Sequence, residues 1–197
     1  SGKPVLQRRV QFVALEPDAA PPAESSQERL VDELDPVATN WEQRVARWPL
    51  LKRIPRMKQG RLSHGKSAVA RHLGRQWMQM EAEAWQAYSL SVDAPGQPHI
   101  LEVELPGDIA QTLGMSLLEP NALGQISPLG VDTAVEVTPP ATGAKADVIR
   151  HRLVVWPKSK TPILLLTSHN PQHPTTFGKL RVYQLSGRLS AKHAVSP

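Results

Sequence analysis

Hydrophobic and polar positions alternate along the middle and end of the chain with the two-residue period of half-buried strands. Apolar segments recur at Trp85–Val92, His99–Leu105, Thr112–Leu118, Thr133–Val137, Arg152–Trp156, Ile163–Thr167 and Lys179–Leu185. Turn chemistry separates them: Asp93-Ala-Pro-Gly, Pro106-Gly-Asp, Glu119-Pro-Asn and Pro139-Pro. Short strands spaced at hairpin length, without the crossover segments a parallel sheet needs, predict an all-β, antiparallel sandwich. Within it Tyr88, Leu90, Val92, Leu101, Val103, Leu105, Leu113, Met115, Leu153, Val155, Leu164 and Leu166 alternate as the core face. Glu102 and Glu104 share the opposite face of their strand and read as a solvated surface. Their two-residue spacing, about 6.5–7 Å along a strand, also overlaps the separation of a glycosidase carboxylate pair.

The N-terminal third reads differently. Arg9–Leu15 alternates as a further strand that needs the sheet to bury its face. Glu16-Pro-Asp-Ala-Ala-Pro-Pro-Ala-Glu is a linker by composition. Ser25 and Glu28, followed by Leu30, Val31 and Leu34, match a capping box that opens a short helix ending at Pro36. Asn40 caps a second predicted helix, with Trp41, Val45 and Trp48 on one side as packing residues. The expected organisation is therefore a strand at 1–15, an irregular and partly helical extension at 16–75, the sandwich at 76–187, and a tail at 188–197.

Charge changes that picture in one place. The chain has 197 residues and a net charge of +5. From Glu16 to Glu42 there are eight acids and one base, Arg29, whereas Arg44 to Arg75 holds ten bases and no acid. The two blocks neutralise each other on one wrapped surface, or the basic block binds an external polyanion through Lys52, Arg53, Arg56, Lys58, Arg61 and Lys66. With Trp48 as its one aromatic, the block lacks a base-stacking surface, and no specific nucleic-acid partner is expected.

Gly60-Arg-Leu-Ser-His-Gly65-Lys66-Ser67 satisfies the phosphate-binding pattern G-x-x-x-x-G-K-[ST]. That chemistry requires a buried strand before the loop and a helix after it. Here two prolines and four bases precede it, so an exposed loop leading to a strand at Gln76–Met80 is the expectation. The absence of Cys excludes disulfides, thiolate metal sites and a thiol nucleophile. No apolar run is long enough to span a bilayer. The start, Ser1-Gly2-Lys3, has neither Met nor a signal-peptide pattern, and the chain reads as a module of a longer protein.

Loops on a rigid sandwich carry function, so Glu119, Asn121, Asp132, His169 and Asn170 are the candidate ligand-binding side chains. Ordinary turn chemistry is the competing reading for each. His169 and His173 have the spacing of a helical metal pair, but Pro171 and Pro174 argue against a helix. No metal ligand set, cofactor site or nucleophile–base pair stands out, and no catalytic residue is assigned.

Trp85-Gln-Ala-Tyr-Ser-Leu-Ser-Val and Pro98-His-Ile-Leu-Glu-Val-Glu-Leu-Pro resemble the first paired strands of galactose-binding-like jelly-roll modules. His151-Arg-Leu-Val-Val-Trp-Pro and Phe177-Gly-Lys-Leu-Arg-Val-Tyr fit the same pattern, which covers roughly residues 76–187. The resemblance implies a jelly-roll β-sandwich of the carbohydrate-binding-module type from a large multidomain bacterial protein. It implies a non-catalytic role, carbohydrate or neighbouring domains as partners, an extracytoplasmic or secreted setting, and in some members a structural calcium ion. The basic insertion before Trp77 departs from the pattern. The alternatives are a protein-interaction or structural sandwich without a sugar ligand, and, last, an enzyme.

Overall fold

The computed structural model describes residues 27–38, 63–119, 133–141 and 144–187. The strand expected at 9–15, the helix expected from Asn40 and the 188–197 tail lie outside the described residues, as do Asn121, Asp132 and all of the basic cluster except Lys66. The described residues form twelve strands in three antiparallel sheets. They are β1 (Gln27–Leu34), β2 (Ser63–His64), β3 (Ser67–His72), β4 (Arg75–Met80), β5 (Trp85–Ser89), β6 (His99–Pro106), β7 (Gln111–Leu118), β8 (Thr133–Val137), β9 (Val148–Val155), β10 (Ile163–Ser168), β11 (Thr175–Phe177) and β12 (Leu180–Ser186).

A four-stranded sheet in the order β1-β12-β6-β9 faces a five-stranded sheet, β2-β5-β10-β7-β8. Their inner faces interlock as one core: Leu34, Leu101, Val103, Leu105, Leu180 and Val182 from the first, and Tyr88, Leu113, Met115, Leu164 and Leu166 from the second. This is the alternation read from the sequence, now paired across strands. A small third sheet, β11-β4-β3, adds Met78, Met80 and Phe177 to the same core. Tyr88 meets Phe177 edge-on, its hydroxyl donating to Gln86. The stretch 16–75 contributes three strands to these sheets.

Two local expectations fail for physical reasons. Residues 27–34 form strand β1, not the capped helix expected from Ser25 and Glu28. The apolar positions Leu30, Val31 and Leu34 fit either element, and the ladder to β12 decides between them. Glu28 then pairs with Arg152 at 2.5 Å. A bulge between Leu30 and Asp32 lets β1 turn Asp32 inward, where its Oδ2 accepts from the Ser91 backbone at 2.8 Å.

Residues 67–72, expected as an exposed loop, are a strand paired with β4, which meets the strand expected at Gln76–Met80; a phosphate-binding loop would need a helix there. Gly65, at φ +78, serves a different purpose: a Cβ there would stand 2.6 Å from the Ala84 Cβ. The glycine allows the β2–β3 corner to lie against the turn before β5. Lys66 is exposed and lies 3.9 Å from Glu81.

Candidate functional site

The outer face of the four-stranded sheet carries the most organised polar array among the described residues. Because Leu101 and Val103 point into the core, Ile100, Glu102 and Glu104 point out. Strand pairing sets two cross-strand rows beside each other. One is charged: Glu33 opposes Arg181, Arg181 opposes Glu102, and Glu102 opposes Arg152. The next is apolar: Leu30 opposes Tyr183, Tyr183 opposes Ile100, and Ile100 opposes Val154.

The charged row is a network. Arg181 donates through Nε to Glu33 at 2.7 Å and through Nη1 to Glu102 at 2.9 Å and Glu104 at 2.8 Å. Lys179 holds the other Glu33 oxygen at 2.9 Å. Arg75, at the start of β4, donates to Glu104 at 2.8 Å while its guanidinium lies 3.9 Å from the centre of the Trp77 ring. Trp77 is fully buried, donates Nε1 to the His72 carbonyl, and is seated where a Cβ on Gly178 would come within 2.8 Å of its ring. Arg152 reaches Glu28, sits 3.4 Å from Glu102 through Nε, and lies 5.5 Å from the centre of the Tyr183 ring.

This corrects the solvated reading of the two carboxylates. Glu102 and Glu104 are 5% and 2% exposed, because arginines from three neighbouring strands lie across them. Burial pushes the Glu104 carboxyl up, but the Arg181 hydrogen bond and the Arg75 and Arg181 charges outweigh it and hold it below the usual range. Hydrogen bonds from Lys179 and then Arg181 lower Glu33 in the same way. Tyr183 is raised, first by burial and then by the Glu102 charge. On Arg181, burial works against the charge, and the three carboxylate hydrogen bonds reverse it and raise the guanidinium further.

Glu119, His169 and Asn170 are not brought together. Glu119 follows the end of β7 at which Leu118 pairs with Ile163, whereas His169 and Asn170 follow Ser168, which pairs with Leu113 at the far end of the same ladder. Glu119 Oε1 accepts from the backbones of Lys158 and Ser159 at 2.7 and 2.9 Å and caps that turn. Asn170 Oδ1 accepts from the Gln172 backbone at 2.8 Å, an Asx turn. His169 is exposed. Among the described residues no group of three or more His, Asp and Glu is gathered to hold a metal. No helix among them is long and apolar enough to cross a membrane.

The charged face was missed because it is assembled from five strands distant in sequence. A signal was present nonetheless: Glu102 and Glu104 alternate as acids, Arg150 and Arg152 alternate as bases, and opposite signs at matched spacing favour cross-strand pairing.

No protein-family model and no curated protein sequence matches the chain. Among solved structures it is similar to the CBM22-1 xylan-binding domain of Xyn10C from Paenibacillus barcinonensis, at 15% identity over 64% of this chain and 86% of that one, with a TM-score of 0.44. It is similar to the C-terminal CBM6 of LamC from Zobellia galactanivorans, at 13% identity over 62% and 90%, with a TM-score of 0.38. A family 35 carbohydrate-binding module from Clostridium thermocellum shares 10% identity over 62% and 88%, with a TM-score of 0.36. The likeness is to carbohydrate-binding modules, and at these scores it assigns no ligand to this chain.

Proposed function

We propose that the chain is a non-catalytic, jelly-roll sugar-binding module whose ligand lies across the outer face of the β1-β12-β6-β9 sheet. The observation that carries this reading is the half-buried Tyr183 ring in an apolar row, with a fixed row of carboxylates and guanidinium groups alongside. A pyranose presents an apolar C–H face and a rim of hydroxyls. The first suits an aromatic ring and its aliphatic neighbours. The second suits the charged groups that stay partly exposed along that row, Glu28, Glu33, Arg152 and Lys179, which reciprocal bonds already hold in place and which lose little freedom on binding. Glu104, its carboxyl held below the usual range by Arg181 and Arg75, is a poor proton donor at neutral pH, which argues against a general-acid role for that one residue.

A glycan array probed with the full chain tests the proposal. Binding to a defined glycan that is lost in Tyr183→Ala, with the melting temperature retained, supports it. Silence across a broad array refutes it and favours the second reading, a protein-docking sandwich, for which the observation is Leu30, 49% exposed beside Tyr183.

A further inference from the structure

Among the described residues, the three-stranded sheet ends in one long, uninterrupted edge strand. Among the described residues, β1 is interrupted by its bulge, and β2 is two residues long. β8 runs into Thr138-Pro139-Pro140, and β9 turns the half-buried His151 toward the core beside Arg150 and Arg152. Each of these is a device that discourages edge-to-edge pairing. Strand β3 has none. Its six residues, Ser-Ala-Val-Ala-Arg-His, pair with β4 in unbroken register. Val69 on it is 51% exposed, one of two large apolar side chains so exposed among the described residues.

The hairpin dictates which backbone groups are available. β3 and β4 are joined by Leu73 and Gly74 alone, both at positive φ (50 and 74), the conformation of a type I′ turn. In such a hairpin the closing pair, His72 and Arg75, is hydrogen-bonded, and bonded pairs then alternate. His72, Ala70 and Ala68 therefore bond to β4. Ser67, Val69 and Arg71 turn their N–H and C=O groups to the open side.

The geometry points to a second copy of this chain as the occupant, its β3 pairing antiparallel with this one about a two-fold axis through Val69. Hydrogen-bonded pairing requires outward-facing residues on both strands. The register centred on Val69 satisfies this along the whole strand: Val69 faces its own counterpart, Ser67 faces Arg71, and Arg71 faces Ser67. The non-bonded positions set Ala68 against Ala70, small side chains that permit close approach. No two ionised side chains of like sign face each other within the strand, because Arg71 meets a serine. The two exposed valines cover one another, and the three-stranded sheets join as β11-β4-β3-β3-β4-β11. The isologous contact is closed, so it yields a dimer and not a filament.

The test is sedimentation velocity on the full chain, from micromolar to millimolar concentration. A reversible monomer–dimer equilibrium is expected. Val69→Pro removes an N–H that faces the open side, a place where an edge strand tolerates proline. It should weaken association about thirtyfold or more, as expected for two hydrogen bonds lost across the axis. Val69→Lys, which leaves the backbone intact and sets like charges face to face, should do the same, and Val69→Ile should not. In the described register, facing residues at position 69 have Cα atoms about 5.5 Å apart, within disulfide reach. Because the chain has no cysteine, Val69→Cys should oxidise to a single covalent dimer. A chain that stays monomeric at millimolar concentration overturns the inference. So does a dimer indifferent to Val69→Pro and Val69→Lys, or one in which Val69→Cys does not cross-link.

Discussion

Replacing Arg181 with methionine removes the one group shared by three carboxylates while keeping an aliphatic stem of similar length. Arg181 is 16% exposed in its side chain, and its partners Glu102 and Glu104 are 7% and 3% exposed, so these pairs are shielded from water. Removing one partner of a buried pair costs about 3–5 kcal/mol, because a charge is left uncompensated. Glu104 keeps Arg75 at 2.8 Å and Glu102 keeps Arg152 at 3.4 Å, which offsets part of the loss. The expected cost is therefore about 2–3 kcal/mol at neutral pH, or about 4–12 °C in melting temperature. Urea unfolding measures it directly. The deficit should shrink as pH falls below the ordinary carboxylate range, because the stranded Glu104 can then take up a proton. It should also shrink in Arg181→Met combined with Glu104→Gln, which removes the stranded charge. A cost below about 0.5 kcal/mol would show that the array behaves as exposed surface pairs and would refute the argument.

Four further outcomes can be measured. The imidazole of His151 is pushed down by burial, so the folded state binds fewer protons than the unfolded one; stability should fall as pH drops through the ordinary histidine range, and His151→Leu should flatten that limb in urea titrations at pH 5 to 7. Glu33 and Glu104, both depressed, add a second loss that begins only as pH falls below about 4.5, the unfolded carboxylate value. Asp32→Ala leaves the part-buried Ser91 N–H without its acceptor at the one buried acid of β1 and should cost about 1–3 kcal/mol by chemical denaturation, more than any exposed acid on β1. Lys66→Ala should leave the melting temperature unchanged with or without ATP and Mg²⁺, since the segment after Gly65 is strand β3; a nucleotide-dependent shift lost in the variant would reverse that conclusion.

The strands from Trp85 onward, their alternation and the inward set Tyr88, Leu101, Val103, Leu113, Met115, Leu164 and Leu166 were legible in the sequence. Period-two patterning is local, and each strand declares its own buried face. The turn chemistry of Asn170 was legible for the same reason, whereas Glu119 caps a distant turn at Lys158 and Ser159 that no local pattern announces. The strand at 27–34 was not: Leu30, Val31 and Leu34 satisfy a helix as well as a strand, and only the Leu180–Ser186 ladder separates the two. Nor was strand β3 after Gly65, where the expected exposed loop becomes the first arm of a hairpin because β4 lies beside it. The burial of Glu102 and Glu104 was out of reach altogether. Alternation assigns them to the outer face, but whether that face is wet depends on which side chains neighbouring strands lay across it. Strand order placed Arg152, Arg181 and Arg75 there from positions spread over more than a hundred residues, and beyond the alternating signs of Glu102 and Glu104 and of Arg150 and Arg152 such pairing leaves no local trace.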